Sequence, residues 1–151
     1  MIKILFICHG SICRSPMAKY TMIDLLEKAG RSAEFMVESA ATSREELGNP
    51  VYPPARAKLK EHGILCDGYA ARQMTKEDYV NYDYIVGMDQ ENRYYMDRLW
   101  DNDPEGKVHL LMDFTDRPGE VSDPWYTRDF EETWIDVEKG CRGLLAFIDA
   151  H

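Results

Sequence analysis

The segment Cys8-His9-Gly10-Ser11-Ile12-Cys13-Arg14-Ser15-Pro16 sets a thiol and a guanidinium apart with five residues between them, one a glycine. It follows the apolar run Ile2–Cys8 and leads into Ser15-Pro16, read as an N-cap with proline at the first helical position. A loop between a strand end and a helix start turns successive backbone N–H groups inward. With the helix dipole they form a nest for a phosphate. Arg14 adds a planar fork that binds two phosphate oxygens. The same positive environment favours the thiolate of a cysteine at the head of the loop. Cys8 is therefore expected beneath the bound phosphorus, attacking in line. The product is a phosphocysteine, which water then hydrolyses. Ser15 is placed to hydrogen-bond the sulfur and make it a better leaving group in that second step. The rest of the phosphate loop is His9, Gly10, Ser11, Ile12 and Cys13. This chemistry calls for no metal and no organic cofactor.

Each residue also has a plainer reading. A free cysteine is often a small buried hydrophobe, an arginine a surface charge, and Cys-x5-Arg alone is a weak pattern. The strand before it, the glycine within it and the Ser-Pro after it raise its weight. His9 reads as a rim residue. Cys13 has two open readings: a passive filler, or a reversible disulfide partner that shields Cys8 from over-oxidation. Asp123-Pro124-Trp125-Tyr126 forms a second candidate segment, but by spacing alone Asp123 is a turn residue before proline.

The elements that position these residues follow from the apolar pattern. Ile2–Cys8 is a continuous apolar run, as in a strand covered on both faces. A helix follows to Gly30. Strands are expected at Phe35–Ser39, Tyr82–Met88 and Val108–Met112. Helices are expected from Pro54 to His62, from Thr75-Lys76-Glu77-Asp78, from about Gln90 to Trp100 and from about Asp129 to Asp149. Thr42–Pro54 and the stretch holding Pro118, Gly119 and Asp123–Tyr126 read as loops. The order predicts one α/β domain over residues 1–151: three layers, a four-stranded parallel sheet flanked by helices, and the phosphate-binding loop after strand 1. Such sheets bind ligands at the carboxyl ends of their strands.

Composition narrows the classes. The chain has 151 residues and a net charge of −9, with the acidic residues spread along it. A basic face for nucleic acid is lacking, as is one for an anionic membrane. No apolar stretch approaches the roughly 20 residues of a membrane helix, and the short apolar start is not a signal peptide. The expected location is the cytoplasm. The four cysteines do not read as a disulfide framework or a zinc set.

Along nearly its whole length the sequence resembles the low-molecular-weight protein tyrosine phosphatases. Their loop is Cys-x-Gly-Asn-x-Cys-Arg-Ser-Pro, and their general acid lies in a late Asp-Pro-aromatic-Tyr segment. Ser39-Ala40-Ala41-Thr42, Gly48-Asn49-Pro50, Ala71-Arg72-Gln73, Thr75–Asp78 and Met88-Asp89-Gln90-Glu91-Asn92 also look alike. The resemblance implies that Asp123 protonates the departing phenolate, with Trp125 and Tyr126 walling the cleft. It implies phosphotyrosine proteins as substrates, a cognate tyrosine kinase as a partner, and a monomer or weak dimer. Ser11 stands where the family usually has asparagine. Tyr69 or a neighbour replaces a supporting histidine, and Ser39 stays in that support, so an intact but less rigid loop is expected. Ile12 is similar to the tyrosine-specific members, whereas the related arginine-phosphate phosphatases have threonine. Glu45 falls in the loop lining the entrance.

Three competing functions remain. A phosphoarginine phosphatase differs at Ile12. A thiol-relay arsenate reductase needs two further cysteines near the site, whereas Cys66 and Cys141 are single and far apart in sequence. A non-catalytic phosphotyrosine-binding module is expected to lose the nucleophile or the acid, and both are present.

Overall fold

Along β1 (Ile2–Cys8) the side chains alternate between two cores. Ile4, Phe6 and Cys8 face the larger one, Leu5 and Ile7 the smaller. Burial on both sides is why the run is apolar throughout. Each fully buried Ile, Leu or Phe here stabilises the fold by about 1.5–3 kcal/mol.

The computed structural model describes all 151 residues. β1 lies inside a four-stranded parallel sheet of order β2-β1-β3-β4, with β2 at Phe35–Ala41, β3 at Tyr84–Gly87 and β4 at Val108–Leu110. The order changes direction at β1. The loops leaving β1 and β3 therefore diverge and open a crevice at the carboxyl edge of the sheet.

α1 (Arg14–Lys28), α2 (Pro53–Glu61) and α6 (Phe130–Ala150) cover one face, bringing Met17, Met22, Leu26, Leu59, Val137 and Leu144 into the larger core. α3 (Asp78–Asn81) and α4 (Gln90–Leu99) cover the other, with Tyr79, Met96 and Trp100 in the smaller core. α6 rests closely on the 3-10 turn Leu111–Phe114. A Cβ on Gly140 would fall 2.3 Å from Leu111 Cγ, so only glycine fits there.

The expected α/β architecture is the one observed, with shifted ends. α1 begins at Arg14, with Cys13 as its N-cap and no side-chain cap bond. Ser15 is inside the helix because its hydroxyl is engaged with Cys8 and Ser11. Tyr82, expected to open the third strand, ends α3 instead, its N–H donating to Asp78 C=O at 3.1 Å. Met112, expected in the fourth strand, lies in the 3-10 turn. The loop around Asp123 contains a one-turn helix, α5 (Pro124–Thr127), capped by Asp123.

Candidate active site

Cys8 ends β1, paired with Ala41 of β2. Its Sγ accepts the backbone N–H groups of Ser11 at 3.2 Å and Ser15 at 3.4 Å, and lies 3.2 Å from Ser15 Oγ. When the sulfur is a thiolate, all three contacts donate to it. The backbone N–H groups of His9, Gly10, Ile12, Cys13 and Arg14 have no backbone partner. They are the free donors that an anion nest requires.

The loop turns at Ser11, not at Gly10. Ser11 is fully buried with φ 57°, a left-handed conformation that costs a non-glycine residue about 1–2 kcal/mol. Gly10 has ordinary backbone angles and packs closely on Glu46: a Cβ there would lie 3.1 Å from Glu46 Cγ. A hydroxyl cluster holds the turn. Ser11 Oγ lies 2.6 Å from Tyr69 Oη and 2.8 Å from Ser15 Oγ. Tyr69 O–H donates to Ser11 C=O at 2.8 Å, and Ser39 Oγ is 2.8 Å from the same phenol oxygen. Burial pushes the Tyr69 phenol up to about 12, so it stays a donor. Tyr69 and Ser39 thus form the expected support. Ser11 has a partner for both its hydroxyl and its carbonyl.

Arg14 is 2% exposed. Its Nη1 donates to Asp89 Oδ2 and to Val121 C=O, both at 2.8 Å, and its Nη2 lies 3.5 Å from Asp123 Oδ2. Burial opposes its charge. The anions of Cys8, Asp89 and Asp123 outweigh burial, and its pKa rises above the usual arginine value. Asp123 is fixed by its own turn, with Oδ1 accepting Trp125 N–H at 3.0 Å. Cys13 is buried beside them. Burial first, then the charges of Cys8 and Asp123, hold its thiol well above the usual range.

These groups surround a cleft of about 350 Å³. Cys8, His9, Gly10, Ile12, Cys13, Arg14, Asp123, Trp125 and Tyr126 line it, together with Glu45 and Glu46. Ser11 and Ser15 are fully buried beneath it and act on the sulfur and the turn. Trp125 packs on Tyr52, ring centroids 5.0 Å apart. At the mouth, His9 Nε2 meets Glu45 Oε2 at 2.6 Å, and His9 Nδ1 lies 3.7 Å from Glu91 Oε1. This side of the rim is acidic.

Asp89, Val121, Glu46 and Tyr52 were not legible as site residues. Asp89-x-x-Asn92 carries a readable capping signal, and the capping box is present. Nothing local shows that the second carboxylate oxygen goes to Arg14. Cys66 and Cys141 are buried outside the cleft, Cys141 with its Sγ 3.5 Å from Ala18 C=O in α1.

A sequence model of the low molecular weight phosphotyrosine protein phosphatases matches residues 3–151. The low molecular weight protein-tyrosine-phosphatase YfkJ of Bacillus subtilis is 36% identical over 150 residues, 98% of this chain and 96% of that protein. The human low molecular weight phosphotyrosine protein phosphatase is 35% identical over 148 residues, 95% of this chain and 93% of that one. The crystal structure of YfkJ superposes with a TM-score of 0.96, covering 99% and 96% of the two chains. A Drosophila protein described as an arginine phosphatase has the same fold, with 25% identity, a TM-score of 0.88 and coverage of 97% and 98%. The chain belongs to the low molecular weight phosphotyrosine protein phosphatase family.

Proposed function

We propose that the protein hydrolyses phosphotyrosine in proteins through a phosphocysteine intermediate. The observation that carries this is the convergence of three hydrogen-bond contacts on Cys8 Sγ within one cleft that also holds Arg14 and Asp123.

The loop N–H groups and Arg14 bind the phosphoryl oxygens. Cys8 thiolate attacks phosphorus and the P–O bond to the phenol breaks. Asp123, entering as the acid, gives its proton to the leaving phenolate oxygen. In the second step Asp123, now a carboxylate, takes a proton from water as the water oxygen attacks phosphorus. The P–S bond breaks, releasing inorganic phosphate and the Cys8 thiolate. Ser15 O–H donates to the departing sulfur. Ile12 and Trp125, which both line the cleft, give an aromatic ring apolar surface, favouring phosphotyrosine over phosphoarginine. The implied partners are phosphotyrosine proteins and the kinase that makes them.

The test is steady-state hydrolysis of 4-nitrophenyl phosphate from about pH 4 to about pH 8 without added metal, followed by phosphotyrosine and phosphoarginine peptides. Wild type should turn over, and Cys8→Ser should be inactive. Asp123→Ala should lose about 10²- to 10³-fold on phosphotyrosine. Stoichiometric phosphate binding without turnover would instead identify a binding module.

A further inference from the structure

Asp123 sits on a helix too short to be stable by itself. α5 has four residues, and helix nucleation is unfavourable without docking. On one side the segment is tied down through Val121, whose carbonyl accepts from Arg14 and whose N–H donates to Met88 C=O at 2.9 Å. The other side ends at Arg128, which has φ 60° and ψ 15°, a left-handed conformation seldom taken by a non-glycine residue. Its side chain closes over the segment it terminates. The guanidinium carbon lies 5.4 Å from the Trp125 ring centroid, and Nη1 donates to Tyr52 Oη at 3.0 Å. Tyr52 packs against Trp125 on the same side. Its own N–H donates to Ile12 C=O at 2.8 Å, within the phosphate loop.

We infer that Arg128 is a positioning residue for Asp123: by clamping Trp125 onto Tyr52 it ties the turn that carries the acid to the loop that carries the nucleophile. The inference rests on the phosphatase reading above. Arg128 lies outside the chemistry and touches no reacting atom. It fixes the distance at which Asp123 meets the leaving oxygen, and proton transfer is sensitive to such placement.

The test compares wild type with Arg128→Gly. Glycine adopts the backbone conformation of this position without strain, so the fold should be held or improved, and thermal melting checks it. The readout is the ratio of kcat/KM on phosphotyrosine to kcat/KM on 4-nitrophenyl phosphate. Phosphotyrosine needs its leaving oxygen protonated. 4-Nitrophenolate leaves readily without a proton. Arg128→Gly should lower the ratio on the order of tenfold, and in an Asp123→Ala background it should change nothing further. An unchanged ratio would overturn the inference, as would an equal additional loss in the Asp123→Ala background. Absence of turnover by wild type on either substrate would overturn the phosphatase reading itself, a result distinct from an unchanged ratio in an active enzyme.

Discussion

Asp89 Oδ2 accepts from Arg14 Nη1 at 2.8 Å, while Asp89 Oδ1 accepts the Asn92 N–H at 2.8 Å. One carboxylate therefore aims the buried guanidinium and caps α4. Asp89→Ala removes both bonds and leaves a buried cation short of a partner. It should destabilise the protein by about 3–5 kcal/mol, measured by urea unfolding. Asp89→Asn keeps the cap and should cost less. Both should weaken protection of the fold by added phosphate.

The hydroxyl cluster around Tyr69 predicts a second effect. Tyr69→Phe leaves the buried Ser11 carbonyl and the Ser11 and Ser39 hydroxyls without their shared partner. A loss of about 1–3 kcal/mol is expected. Ser11→Asn, although asparagine tolerates the left-handed backbone, forces a larger side chain into a fully buried position against Tyr69. It should lower the melting temperature in the presence and absence of phosphate.

Alkaline pH should unfold the protein through its phenols. Burial raises the Tyr69 phenol to about 12 and moves Tyr20, Tyr79 and Tyr82 upward as well. A folded-state value above the unfolded one gives stability that is whole below about pH 10 and is lost as pH rises toward about 12. Unfolding free energy measured across that window should fall, and tyrosinate absorbance should appear with the unfolding transition. Melting temperatures that hold steady through the window would contradict this.

Cys8 and Cys13 should differ in reactivity. Both cysteines line the cleft, but burial and the neighbouring anions keep Cys13 protonated, whereas Cys8 has hydrogen-bond donors around its sulfur. Iodoacetamide near neutral pH should label Cys8 first, and bound phosphate should slow that labelling. Peptide mass mapping that found Cys13 modified first would reverse the assignment.

The acidic rim should select among peptides. Glu45 and Glu91 are largely exposed beside His9, and Glu46 lines the cleft. Phosphotyrosine peptides with lysine or arginine nearby should react faster than acidic ones. That advantage should shrink with added salt, and Glu45→Gln should reduce it by about two- to fivefold. A preference indifferent to salt would rule out the rim as its origin.

The sequence showed most plainly what neighbours decide. The run Ile2–Cys8, the glycine within the loop and Ser-Pro after it suffice to expect a strand, a loop and a helix start in that order; the strand has the expected bounds, while the helix begins at Arg14, ahead of the Ser15 cap expected for it. Tyr82 misled because an aromatic beside a strand counts toward the strand, although its backbone closes α3. α5 was missed because one helical turn leaves no periodicity to detect. The partners of Arg14 were invisible for another reason. Asp89 and Val121 lie 75 and 107 residues away, and only the sheet order brings them together.

That separation bears on biosynthesis. A ribosome releases the Cys8–Arg14 segment early, but the carbonyl that accepts from Arg14 and the carboxylates that balance its charge arrive only with residues 89–123. Until then the nascent chain carries a thiol and an unpaired guanidinium without the environment that makes them an enzyme. On the proposed mechanism, catalytic competence then waits for residues 89–123. Its appearance on a stalled chain would mark the moment at which the segment from Asp89 to Asp123 has docked on the Cys8–Arg14 loop.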